Sequence, residues 1–147
     1  MVTFESKTLL LTDRAGQWEC ASPQLLISYG FKPLTVYVAN EFPPGSCAYR
    51  AIHAHERRHV DTYLAHLEAI ENDLATTLRR RFATGAPWRG PLGQTRAILQ
   101  RELEERWVPY VKREIGRVEA AQALLDTPEE YAKVAASCDG EIGKRVP

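Results

Sequence analysis

The chain has 147 residues, 44% of them hydrophobic and 26% charged, with 19 basic side chains against 19 acidic ones. That is enough apolar material for the core of one globular domain spanning residues 1–147. The charge balance gives no reason to expect nucleic acid or an anionic membrane as a partner, and the longest apolar runs, such as residues 9–11, fall far short of a membrane span.

The opening Met1-Val2-Thr3-Phe4-Glu5 reads as the start of a strand and not as a signal peptide. Residues 3–12, 24–31 and 34–39 are the candidate strands of a small N-terminal sheet, with Gly30 and Lys32-Pro33 turning the chain between the last two. Residues 34–39, Leu-Thr-Val-Tyr-Val-Ala, carry the clearest strand signal. Pro43-Pro44-Gly45 then ends the extended region, and Ser46 is placed as a helix N-cap.

From Cys47 to Phe82 no proline or glycine interrupts the sequence. Ile52, Val60, Tyr63, Leu67, Ile70, Leu74 and Leu78 fall on one stripe at helical period, so one long helix is expected. Residues 83–93 read as a loop. Residues 94–125 read as a second helix, with Pro109 forcing a kink or break near Trp107-Val108. Thr127-Pro128-Glu129-Glu130 has the pattern of a capping box opening a third helix to about residue 137. Residues 138–147 read as a tail. The fold class that follows is α+β: a small antiparallel sheet, then a helical half.

Residues 55–59, His-Glu-Arg-Arg-His, form HExxH inside the first helix. Histidines at i and i+4 project from one side, a turn apart, so both imidazoles can reach one Zn²⁺. Glu56, next to the first ligand, is placed to take a proton from an attacking water. On the helical wheel Glu56 lies within the apolar stripe and His59 at its edge, with His55 about 60° beyond that edge. Polar groups on or beside a buried face need partners, which a metal and its water would supply. The bland reading is a hydrogen-bonded pair of core histidines. Arg58 falls opposite the stripe and Arg57 beyond its other edge, and both are expected to point to solvent. His66 lies seven residues beyond His59, roughly 10 Å along the helix and out of reach of a shared metal. His53 is expected to be partly exposed and not a ligand.

The stretch Cys47-Ala48-Tyr49-Arg50-Ala51-Ile52-His53-Ala54-His55-Glu56-Arg57-Arg58-His59-Val60 resembles the active-site helix of zincin metallopeptidases, most of all that of small bacterial secreted zinc peptidases. The resemblance implies a zincin-like fold, His55 and His59 as zinc ligands, Glu56 as general base, and a peptide or protein substrate lying along a strand edge that residues 34–39 would supply. It also implies export to the periplasm or beyond, with the cytoplasm as the alternative. The chain departs from the pattern in two ways. Both middle positions of HExxH are arginine, where zincins usually carry uncharged residues. The metzincin extension is absent, with Thr62 and Ala65 where a glycine and a third histidine would stand.

The third ligand is sought on a later helix, as in gluzincin-like enzymes. If the two long helices form a hairpin, His59 lies about 23 residues before its turn, which points to about position 116 on the return, with Pro109 blurring the count by a turn or more. Glu114 is the lone carboxylate in the line Trp107, Val111, Glu114, Val118, Ala121, Leu125, and is chosen as the ligand. Glu119, Glu129 and Glu130 are its rivals. Tyr63, Tyr110, Tyr131 and Arg117 are oxyanion candidates without an assignment. Cys20, Cys47 and Cys138 include no CxxC pair. A Cys20–Cys47 disulfide is expected, with Cys47–Cys138 second and three reduced thiols as the alternative.

These observations point to a zinc-dependent hydrolase, in the first place a peptidase. Two other readings stand beside it: a non-catalytic zinc-binding or protein-interaction domain of zincin-like fold, and a helical interaction module in which HExxH is accidental.

Overall fold

The structure is a computed structural model that describes residues 1–145. The last two positions of the expected tail, Val146 and Pro147, lie outside the described residues. The class is α+β, with a three-stranded antiparallel sheet and five α-helices among the described residues. No helix among them is long and apolar enough to cross a membrane. The described chain divides into two compact units, residues 1–31 with 69–115, and residues 32–68 with 116–145.

The first unit is built on a hairpin. Strand β1 (Val2–Thr12) pairs with β2 (Trp18–Tyr29) from Val2↔Tyr29 to Thr12↔Glu19. Asp13 closes the turn, its carboxylate accepting from the backbone N–H groups of Gln17 at 2.9 Å and Trp18 at 3.0 Å, while Gly16 supplies a positive φ of 64°. A third strand, β3 (Trp88–Pro91), pairs with β2 over Trp18–Ala21 and gives the order β1-β2-β3. Sequence reading places residues 88–91 in a loop because of their glycine and proline. A short edge strand tolerates both, since its outer side needs no ladder hydrogen bonds. Pro23 in β2 lies just past the stretch that β3 covers.

Residues 34–39, the expected third strand, form no strand. Their β-forming side chains are used differently: Val38 packs against the buried cluster of Phe42, Ala48 and Ile142 in the second unit. Strand propensity measures the fit of a side chain to a half-buried surface, and a packed extended loop can offer that surface too.

Helix α1 (Cys47–Phe82) forms over the expected residues. Ser46 caps it, its hydroxyl accepting from the Tyr49 N–H at 3.1 Å. The basic run Arg79-Arg80-Arg81 in the last turn complements the negative end of the helix dipole. In the first unit, Ile70 and Leu74 pack on Val111, and Leu99, Leu103 and Trp107 form an adjoining cluster. Arg81 makes two hydrogen bonds to the Glu102 carboxylate, at 2.8 and 2.7 Å, and the Trp107 indole donates to the same carboxylate at 3.0 Å.

The expected second helix is divided. It comprises α2 (Thr95–Glu102), a π-helical turn over Leu103–Trp107, α3 (Val108–Gly116) and α4 (Val118–Ala123). The π turn sits just before Pro109, where an α-helix would set the proline ring against a carbonyl one turn back.

Helix α5 (Pro128–Arg145) starts at the expected capping box, the Thr127 hydroxyl accepting from the Glu130 N–H at 3.2 Å. Its regular path is interrupted over residues 137–140, where Cys138, Asp139 and Gly140 all have positive φ. The chain then resumes as helix where a tail was expected. A disulfide joins Cys47 at the start of α1 to Cys138, with Cα atoms 5.8 Å apart, and Cys20 is a free thiol. The favoured Cys20–Cys47 pairing is therefore corrected. The interruption in α5 is what brings Cys138 to the start of α1, and a sequence read as a shapeless tail could not reveal it.

Candidate metal centre

All of the site's residues belong to the second unit. Helix α1 supplies His55, Glu56 and His59, α4 supplies Gln122, the link after α4 supplies Asp126, and α5 supplies Glu130 and Tyr131. His55 is buried, at 7% exposure, although the helical wheel sets it outside the apolar stripe.

Three donor atoms face one another. His59 Nε2 lies 3.2 Å from His55 Nε2 and 3.1 Å from Asp126 Oδ1, and His55 Nε2 lies 3.4 Å from the same oxygen. Tetrahedral zinc with bonds of about 2.0–2.1 Å separates its ligand atoms by about 3.3–3.4 Å, so the triangle has the size that zinc requires. Two imidazole nitrogens and one carboxylate oxygen are also a donor set that zinc takes in catalytic sites, leaving a fourth position for water. Among the described residues, His55, His59 and Asp126 form the group able to hold a metal ion.

The hydrogen bonds that hold His59 agree with this role. Gln122 Nε2 donates to the His59 backbone carbonyl at 3.1 Å, which fixes the amide with its oxygen on His59 Nδ1. Nδ1 must then donate, and a neutral imidazole keeps its lone pair at Nε2. That lone pair faces the Asp126 carboxylate oxygen at 3.1 Å, two acceptors that a metal ion between them would satisfy.

His55 has a different neighbour. Arg58 Nη2 donates to Glu130 Oε1 and stands 3.0 Å from His55 Nδ1, with Glu130 Oε1 3.8 Å from that nitrogen. Arginine can only donate, so this contact makes Nδ1 an acceptor and places the His55 proton on Nε2, towards Asp126. Metal binding through Nε2 needs that proton on Nδ1, where Glu130 is the carboxylate able to receive it. The Arg58 hydrogen bond, with the charge of the same guanidinium, holds the Glu130 carboxyl below its ordinary range. The neighbouring charge of Asp126, burial and a hydrogen bond to Asp126 push the Tyr131 hydroxyl upward.

A cavity of about 860 Å³ opens beside the cluster and is lined by His55, Glu56, His59 and Asp126 among others. The structure brings His55 and His59 together beside the cavity that Glu56 also lines. Glu119 lines the same cavity, and Glu130 lies behind His55. Glu114 lies on α3 in the first unit and is not in the donor group, where Asp126 is the third member. The hairpin count assumed one helix over residues 94–125, and the π turn and the break at Arg117 remove that basis. A ligand choice confined to glutamates passes over Asp126. Its signal was a carboxylate directly before a capping box, where the helix start holds it in place.

Of the two arginines in the motif, Arg57 faces solvent, pairing with Asp61 at 3.3 Å on the exposed side of α1. Arg58 is exposed too, with 44% of its side chain accessible, but its guanidinium also reaches Glu130. His53 is exposed and stacks on Tyr49, with ring centroids 5.9 Å apart. No protein-family model, curated protein or solved structure matches this chain.

Proposed function

We propose that the chain is a zinc-dependent peptidase in which His55, His59 and Asp126 hold the metal and Glu56 is the general base. The observation that carries this reading is the triangle of donor atoms with zinc-sized edges beside an open cavity that Glu56 also lines. A zinc ion held there would supply an activated water and polarise a peptide carbonyl. Glu56 accepts the proton of the attacking water and returns it to the leaving amine. Gln122 holds His59 in the tautomer with Nε2 free, and Tyr131 steadies Asp126 through its hydroxyl. The same donor set suits ferrous iron, and the HExxH spacing on one helix, with its glutamate at the cavity, is what favours zinc hydrolysis. The Cys47–Cys138 disulfide supports an oxidising, extracytoplasmic setting.

The contact of Arg58 with His55 Nδ1 favours a second reading, a metal-binding domain without turnover. The Glu56→Gln variant separates the two. A peptidase keeps zinc and loses hydrolysis of an unstructured protein substrate such as casein. Hydrolysis at the wild-type rate in that variant rules Glu56 out as the base, and zinc-loaded wild-type protein with no hydrolysis supports the second reading.

A further inference from the structure

We propose that the cavity beside the histidines selects a neutral peptide segment with a bulky apolar side chain, cut inside the chain and not next to a free carboxyl end. The proposal rests on the hydrolase reading and adds its substrate class. One wall of the cavity is made by Phe42, Ile52, Val134 and Ile142. Phe42 and Ile142 are only 3% and 5% exposed and belong to the buried cluster of this unit. The wall is therefore an extension of a packed core, and the pocket is largely preformed. Its size suits a side chain together with the backbone on either side of it.

The rest of the lining carries negative charge. Glu56, Glu119 and Asp126 all face the cavity, and among the described residues that line it none is lysine or arginine. A carboxylate entering such a site, whether an acidic side chain or a chain terminus, meets three like charges and no lysine or arginine to pair with, and the two charges of a bound Zn²⁺ would not offset all three. An apolar side chain fills the wall without that conflict. Of the exposed lining residues, two can be changed at little cost to the fold: Ala39, which can carry a ring into the pocket, and Glu119, at its acidic side.

The test is a binding titration with metal-stripped wild-type protein, which keeps all three carboxylates, beside the zinc-loaded Glu56→Gln protein. The probes are tetrapeptides Gly-Gly-Xaa-Gly, acetylated and amidated, with Leu, Phe, Gly or Asp at Xaa, and acetyl-Gly-Gly-Phe with a free carboxylate. The Leu and Phe peptides are expected to bind at least about tenfold more tightly than the Gly peptide in both proteins, and than the Asp peptide and the free acid in the metal-stripped protein. Adding Ala39→Phe should abolish that preference with zinc content unchanged, and adding Glu119→Arg should strengthen binding of the Asp peptide. Equal binding of all probes or tighter binding of the Asp peptide by the metal-stripped protein, or a preference that survives Ala39→Phe, overturns the proposal. Apolar selectivity in protein that takes up no zinc upholds the pocket and removes the hydrolase reading. Zinc uptake and casein hydrolysis without selectivity do the reverse.

Discussion

Gln122 holds His59 at two points, donating to its backbone carbonyl at 3.1 Å and accepting from its Nδ1. One amide therefore fixes both the position of the residue on α1 and the tautomer of its ring. Gln122→Ala should weaken zinc binding by about 10- to 100-fold, as loss of an outer-shell partner commonly does. Gln122→Glu keeps an acceptor at the same distance from α1 and should recover most of that loss. A zinc titration in which the alanine variant matches wild type removes the orienting role.

The pairing of Arg58 with Glu130 sets up a contrast between two substitutions. Glu130→Gln replaces the carboxylate behind His55 with a weaker acceptor and should lower zinc affinity by about tenfold or more. Arg58→Met frees Glu130 for His55 Nδ1 and removes a cation beside the site, so affinity should hold or rise. Loss of zinc in Arg58→Met with full binding in Glu130→Gln would show the two roles to be reversed.

Much of this arrangement is legible in the sequence, and where it is not the reason is physical. The HExxH helix, the Ser46 cap and the Thr127 capping box follow from local chemistry within a few residues, and local rules suffice for them. The disruption before Pro109 was legible as an event but not in its form, because a π turn and a kink answer the same steric conflict. Residues 34–39 were misread because propensity reports a surface to pack on and does not say whether it is a neighbouring strand or a core. Asp126 and the Cys47–Cys138 pair depend on how α4, α5 and the interruption at residues 137–140 return the chain to α1, which no local pattern encodes.

The disulfide closes a separation of 91 residues between Cys47 and Cys138. Loops of that size are associated with about 4–5 kcal/mol in the chain-entropy account, and measured effects usually fall at about 2–4 kcal/mol. Cys47→Ser should therefore lower stability by a few kcal/mol, measured by denaturant titration, while Cys20→Ser has a small effect. Peptide mapping of the non-reduced protein should recover Cys47 joined to Cys138 and Cys20 as the thiol; a Cys20–Cys47 peptide would contradict the fold of α5.

Acid should loosen the first unit in a defined window. The Arg81 hydrogen bond holds Glu102 below its ordinary value of 4.5, and the Thr95 hydroxyl does the same for Glu19. Unfolding restores the ordinary value, so near and below pH 4.5 the unfolded chain takes up protons that the folded chain resists. The stabilisation is full above 4.5 and is lost as pH falls through the lower folded values. Glu102→Gln should cost about 1–2 kcal/mol at pH 7, less than a fully buried pair because Arg81 is 40% exposed, and should flatten the acid decline. An unchanged decline between pH 5 and pH 2 would show that the pair is not its source.

The central claim is that Asp126 completes the metal site of His55 and His59. Zinc titration of the wild type beside Asp126→Ala and Glu114→Ala tests it most directly, since Asp126 is exposed enough for alanine to be tolerated, with 39% of its side chain accessible. The account predicts about one zinc per wild-type chain, an affinity loss of at least about tenfold in Asp126→Ala, and wild-type binding in Glu114→Ala. Zinc held as tightly by Asp126→Ala as by wild type, or released by Glu114→Ala alone, would contradict it.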